Sequence, residues 1–360
     1  MHIPFPKSYH QDHALWPENP LYRVFYALLI GAGFLLPMVG ASEFLVGELT
    51  LFLIYSGVGL SLVFLTGISG MVSLGHAAFL AIGAYAHTLF LAEGLPFLAS
   101  LILVTGCSLL AGFFLSLPLR QLKGVYLSIA TLALAVLIQE LCVHWKSLTG
   151  GLRGLMVDEG TILGLSTENP THLYYVCLVT VLVTIWAAKN LMRSPRGRAL
   201  VALRDSELSG KALGINIAWA KAFAFTTSAG IAGLFGGLLA HQLQFLTPEA
   251  FSPIFSIQLL LMVVVGGVGS FHGAFLGAFV MIQIPQFIAM VKEWLPATMA
   301  DAPGLEPGVF GIILMVFVLW EPEGLYGRLS KMRIFFEQFP MYRKNAFERQ
   351  NVYQKTERVH

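Results

Sequence analysis

The feature that most constrains this chain is its succession of apolar runs, most of them long enough to cross about 30 Å of hydrocarbon as a helix rising 1.5 Å per residue. They lie near residues 22–40, 46–66, 76–92, 95–117, 124–145, 172–192, 219–245, 256–267, 274–291 and 307–320. In lipid a backbone has to satisfy its N–H and C=O groups internally, so such runs specify spanning helices. Composition agrees: 56% of the 360 residues are hydrophobic and 12% charged, against about 25% charged in soluble domains. The expected fold is all-α, a polytopic membrane protein with about ten transmembrane helices. The runs 256–267 and 274–291 are short and flank Gly266, Gly267 and Gly269; they read as two short spans or as one broken helix with a re-entrant segment. The run 307–320 is short as well.

Lys and Arg in short loops mark the cytosolic side. Arg193, Arg196, Arg198, Arg204, Lys211 and Lys221 fall in one loop, Arg120 and Lys123 in another, and eight basic residues follow Trp320. With ten spans all of these lie on one face and both termini are cytosolic. The organisation expected is a cytosolic tail 1–21, a transmembrane domain 22–320 containing the long loop 193–221, and a cytosolic tail 321–360. The opening residues lack the basic start, apolar centre and small-residue cleavage site of a signal peptide. Cys107, Cys142 and Cys177 stand singly in apolar runs without metal-ligand spacing and read as packing residues.

A hexamer is written almost twice, as HAAFLA at 76–81 and HGAFLG at 272–277, each after a cluster of Gly and Ser. Ser69, Gly70, Ser73 and Gly75 precede His76; Gly266, Gly267, Gly269 and Ser270 precede His272. Paired Gly-interrupted apolar segments are the best sequence pointer to a solute path in a transporter. A helix that restarts exposes free N–H groups, which hydroxyls cap and which favour an anionic group such as a carboxylate. These ten residues are the candidate path, with the Gly/Ser breaks carrying more weight than the histidines, whose bland reading is a hydrogen-bonded structural role. Gly-rich composition alone is the competing account of the repeat.

Buried acidic residues are almost absent from the spans, with Glu48 and Glu140 near span ends, so a proton- or ion-driven engine has no residues to run on. There is no phosphate-binding G-x-x-x-x-G-K-[ST] loop, no metal-ligand cluster and no hydrolase motif, and nothing points to a nucleic-acid partner. Energy has to come from outside, and the loop from Arg193 to Lys221 is where it could be received. Pro195 can start a helix and Gly214 can end it in the left-handed conformation. Arg204 with Glu207 and Glu207 with Lys211 have the spacing of helical charge pairs. Docking into a groove on another protein suits its alternating charges better than lying on lipid.

At this point the residues resemble a known family. GRALVALRDSELSGKALGINIAWAKAFAFTTSAGIAGLFGGLLA (197–240), SGMVSLGHAAFLAIGAY (69–85), LKGVYLSIATLALAVLIQ (122–139), LTGG (148–151), GGVGSFHGAFLGA (266–278) and PEGLYG (322–327) are similar, in order, to the LivM-type permease subunits of ABC importers for branched-chain amino acids. The resemblance implies a non-enzymatic subunit of a bacterial cytoplasmic membrane importer. Its implied partners are a homologous second permease, two ATP-binding subunits that hold the ATP and Mg, and an extracytoplasmic substrate-binding protein. It also implies that the 197–214 helix enters a cleft of the ATPase, with Arg198, Arg204, Asp205, Glu207, Lys211 and Gly214 as coupling residues. Leu152-Arg153-Gly154 departs from the Ser-Asn-Gly common after LTGG and places a cation on the outer face. Branched-chain or other neutral amino acids are the expected cargo; urea or short amides fit the same uncharged path, and an autonomous channel is the reading from another class.

Overall fold

A computed structural model describes residues 20–39, 42–162, 165–166, 169–292, seven positions between 308 and 319, and 324–338. The expected N-terminal tail, save its last two residues, half of the final span and the chain beyond 338 lie outside the described residues.

Helix α1 covers Pro20–Leu35 and α2 Glu43–Leu62, which a wide π-helical turn prolongs over Val63–Ile68. Then come α3 (His76–Ala92), α4 (Phe97–Leu119) and α5 (Val125–His144). After an irregular loop follow α6 (Pro170–Arg193), α7 (Pro195–Asp205), α8 (Glu207–Ala212) and α9 (Ile217–Leu243). The last are α10 (Pro253–Gly266), α11 (Phe271–Lys292) and α12 (Gly324–Gln338). Among the described residues six helices are long and apolar enough to cross a membrane: α2 with its extension, α4, α5, α6, α9 and α11. Helices α1, α3 and α10 are apolar but shorter. The protein is an all-α polytopic membrane protein.

Helices α2 and α9 form the centre, with 78% and 72% of their apolar windows inside the protein, whereas α4 and α5, at 28% each, turn most of their surface outward. Helix α9 packs on α3, α4 and α2. Lipid supplies no hydrophobic drive for such contacts, so close approach of small residues has to supply it. At Gly83 of α3, for example, an added Cβ would stand 2.1 Å from the carbonyl oxygen of Gly233 in α9.

Two short strands close the outer face: β1 (Leu155–Met156) in the loop after α5 pairs antiparallel with β2 (Phe245–Leu246) after α9.

The single helix expected over 197–214 is instead two. Ser206 is extended, at φ −164° and ψ 118°, and its hydroxyl accepts the N–H of Ser209 at 3.2 Å. A serine that caps a new helix competes with continuing the old one. The break reorients Glu207, so the expected pairs with Arg204 and Lys211 do not form. Gly214 does end the segment in the left-handed region, at φ 79°.

Candidate functional site

The basic turn between α4 and α5 and the α7–α8 segment lie at the same end of the bundle, the end that the charge bias of short loops assigns to the cytosol. The first break starts there. Arg204 Nη1 donates to the carbonyl of Gly67 at 3.1 Å, and residues 69–75 then run inward along α5. Ser128 Oγ donates to the carbonyl of Val72 at 3.2 Å, and Leu74 N–H to Thr131 Oγ1 at 3.0 Å. Gly75 presses on the Thr131 carbonyl so closely that a Cβ would lie 2.1 Å from it. Thr131 is six residues into α5, roughly 9 Å from its start, so α3 begins well inside the bundle rather than at its surface.

The start of α3 is held by hydroxyls from four elements. Ser73 Oγ accepts the Gly75 N–H at 3.3 Å, and Ser256 Oγ, from the first turn of α10, accepts that of Ala77 at 2.9 Å. His76 Nε2 and Ser61 Oγ of α2 share a hydrogen bond of 2.6 Å, and Ser228 of α9 donates to the Ser61 carbonyl at 2.8 Å. His76, Ser61, Ser256 and Thr131 are wholly buried.

Helix α10 begins at the same level. After α9 the chain turns back from the outer face through residues 244–252, where Phe251 meets Tyr85 of α3 with ring centroids 6.1 Å apart. Ser252 caps α10 by accepting the Phe255 N–H at 3.4 Å. With 14 residues, α10 spans about 21 Å and reaches the cytosolic end near Gly67. Two sub-length helices thus start beside each other and run in opposite directions. Their N-terminal N–H groups and dipoles favour a carboxylate, and the hydroxyls around them suit a polar uncharged or zwitterionic solute.

The second Gly/Ser cluster is placed differently. Gly266, Gly267, Gly269 and Ser270 make the tight turn from α10 to α11 at the cytosolic end, with Ser270 Oγ accepting the Gly273 N–H at 3.0 Å. His272 is exposed, lies 2.7 Å from the Tyr26 hydroxyl of α1 and stacks on Tyr326 of α12 at 5.2 Å. The two clusters do touch: a Cβ on Gly67 would lie 1.9 Å from the Val268 carbonyl oxygen. The histidines, however, sit at different depths, and the interruption that mirrors 69–75 is 244–252. That segment has no glycine; its only signal is Pro248, with Pro253 just beyond it, among polar residues such as Gln244, Thr247 and Glu249. Ser61, Thr131, Ser228 and Ser256 carry no comparable signal in the sequence, because each is a small hydroxyl residue within an otherwise apolar helix.

At the cytosolic end Glu207 is gripped from both sides. Lys221 Nζ lies 2.6 Å and Lys123 Nζ 2.8 Å from its carboxylate oxygens. Lys221, only 5% exposed at its side chain, also donates to the carbonyl of Leu122 at 3.1 Å. Burial of Glu207 opposes its ionisation, but hydrogen bonds and charge from the two lysines outweigh that and hold its carboxyl below the ordinary range. Arg204 pairs with Asp205 at 3.2 Å, Arg198 reaches back to the carbonyl of Arg193 at 3.1 Å, and Arg196 stands 5.1 Å from the ring centre of Phe223. Lys211 and Gly214 lie on the exposed side, next to Leu208 and Leu213, which are 81% and 76% exposed. Among the described residues no three metal-ligating side chains gather.

An interrupted-helix bundle with an inner polar junction and a cytosolic elbow clamped to its base defines a membrane permease. Residues 44–319 match the family model for the permease component of branched-chain amino acid transport systems. The chain belongs to that family, as the transport component of an importer. It is similar to the high-affinity branched-chain amino acid permease protein LivM of Salmonella typhimurium, at 31% identity over 80% of this chain and 71% of the relative. The corresponding protein of Escherichia coli is 30% identical over 77% and 68%. An autoinducer 2 import permease, LsrC of Photorhabdus laumondii, is 27% identical over 61% and 68%. No solved structure matches the chain.

Proposed function

We propose that this permease imports branched-chain amino acids across a bacterial cytoplasmic membrane, in ten spans with both termini in the cytosol. A homologous second permease completes the path, two ATP-binding subunits holding ATP and Mg drive it, and an extracytoplasmic binding protein delivers the cargo. The observation that carries the reading is the junction where α3 and α10 start among buried hydroxyls. It offers polar contacts to an amino acid's head group and no fixed charge to trap it. Ser69, Gly70, Ser73, Gly75 and His76 form this half of the path, and Gly266, Gly267, Gly269, Ser270 and His272 the turn on which α10 and α11 pivot.

The helices α7 and α8, with Arg198, Arg204, Asp205, Glu207, Lys211 and Gly214, act as the coupling element, and exposed Leu208 and Leu213 enter the ATPase cleft. The Arg204 bond to Gly67 then links that cleft to the first break. On the outer face Leu152, Arg153, Met156 and Phe245, all exposed, receive the binding protein. The test is uptake of labelled leucine, isoleucine, valine and urea by the co-expressed importer. ATP-dependent uptake of the three amino acids, abolished by Ser73→Trp, is expected. Uptake of urea in their place, or full activity of Ser73→Trp, would overturn the assignment.

A further inference from the structure

Between the first break and the elbow lies a cavity of about 190 Å³, open to the cytosolic end. Lys123, Arg204, Lys221 and Glu207 line it together with apolar groups such as Val72 and Leu127. Both signs of charge therefore face one small chamber with an aliphatic wall. Lys221 is held by burial, but Lys123, 67% exposed at its side chain, is bound to Glu207 only by a solvent-screened pair, the weak kind. An ammonium group entering the chamber can take the place of Lys123 on Glu207, freeing that lysine, with Arg204, to meet a carboxylate.

We propose that this chamber is a cytosolic site for a zwitterionic aliphatic α-amino acid, and that filling it slows import as product accumulates. The proposal rests on the importer reading above. A ligand there would cross-link the 69–72 segment, the α4–α5 turn and α7–α8, the three parts that must move relative to one another if the elbow transmits ATPase motion to the break.

The test uses the whole importer in proteoliposomes, with ATP in the lumen beside the ATPase subunits and binding protein with labelled L-leucine outside. Millimolar unlabelled L-leucine in the lumen is expected to slow initial uptake roughly fivefold, a typical allosteric coupling. Its analogues 4-methylpentanoate, lacking the ammonium, and 3-methylbutylamine, lacking the carboxylate, should have little effect. Leu127→Phe, which narrows the chamber, should keep uptake into leucine-free vesicles and lose the inhibition. Equal inhibition by either analogue, unchanged inhibition of Leu127→Phe, or no inhibition of a working importer would overturn the site. Absence of uptake into leucine-free vesicles would instead remove the importer reading, and this site with it.

Discussion

HAAFLA and HGAFLG differ by two residues in six, yet their helices start in different worlds. The first starts inside the bundle, its histidine wholly buried against Ser61 and its first turn capped from another helix. The second starts at the cytosolic end, where its cap is its own Ser270 and its exposed histidine reaches the Tyr26 hydroxyl on α1. The difference lies in what precedes each hexamer. Seven residues of irregular chain, 69–75, carry the first inward, whereas the four residues 267–270 only reverse direction. A shared local sequence therefore specifies a helix start but not its depth.

The largest effects should come from the glycines that let the first break pack. Cβ atoms on Gly75 and Gly67 would strike the backbone carbonyls of Thr131 and Val268 at 2.1 and 1.9 Å. Backbone yields less than side chains, so Gly75→Val and Gly67→Ala should cost at least the about 1–3 kcal/mol of ordinary overpacking. Monodisperse protein in detergent extracts is the measurement, and most of it should be lost. Gly269→Ala, with nothing within 4 Å, should extract like wild type; an equal loss there would mean that close backbone approach does not set the cost.

Glu207→Gln comes next, since it leaves Lys221 buried with no counter-charge. Breaking a buried pair costs about 3–5 kcal/mol, and the 27% exposure of Glu207 places this one at the lower end. Transport should fall while insertion persists; a variant with full ATP-dependent uptake would refute the clamp. Because the Glu207 carboxyl is held below its ordinary range, the clamp's stabilisation is complete above the unfolded-state value and is lost as pH falls through the lower folded-state value. Uptake should thus show no clamp-dependent loss between neutral pH and the ordinary carboxylate range, and wild type and Glu207→Gln should converge only below it.

The histidines give a smaller and more direct test. His76→Leu removes the imidazole partner of buried Ser61, a loss of about 1–3 kcal/mol, whereas His272→Leu acts at an exposed site and should cost well under 1 kcal/mol. Thermal inactivation of leucine uptake ranks the two, and the reverse order would mean that depth does not separate them. The caps give effects of similar, small size. Ser256→Ala should cost about 1 kcal/mol and Ser270→Ala less, within the usual span for lost helix caps. Hydrogen exchange at the starts of α3 and α11 reads them separately.

Much of the architecture was legible in the chain because membrane burial writes itself as long apolar runs. The run at 76–92 is α3 to the residue, and the elbow between α6 and α9 stands where its basic residues and Pro195 put it. The site was less legible. Ser69 to His76 could be found because glycines and serines interrupt an apolar run. The second interruption at 244–252 is hidden because Pro248 and polar residues there look like an ordinary outer loop. The contact between Phe251 and Tyr85 and the Ala77 N–H bond to Ser256 reveal that it dips inward. The charge partners of Glu207 were also hidden: Lys123 is 84 positions and Lys221 14 positions away in sequence, and helical spacing proposes only neighbours.

Sequence by itself determined that this chain lives in a membrane, that its helices meet through small residues, and that its internal basic residues gather most densely in one elbow. These follow from hydrophobicity, residue size and charge, properties each segment carries wherever it goes. Tertiary structure alone decided that α3 and α10 begin together, that Ser61, Thr131, Ser228 and Ser256 surround that point, and that Glu207 joins two lysines rather than its helical neighbours. Those outcomes depend on which backbones can approach each other, and that is a property of pairs of segments far apart in the chain.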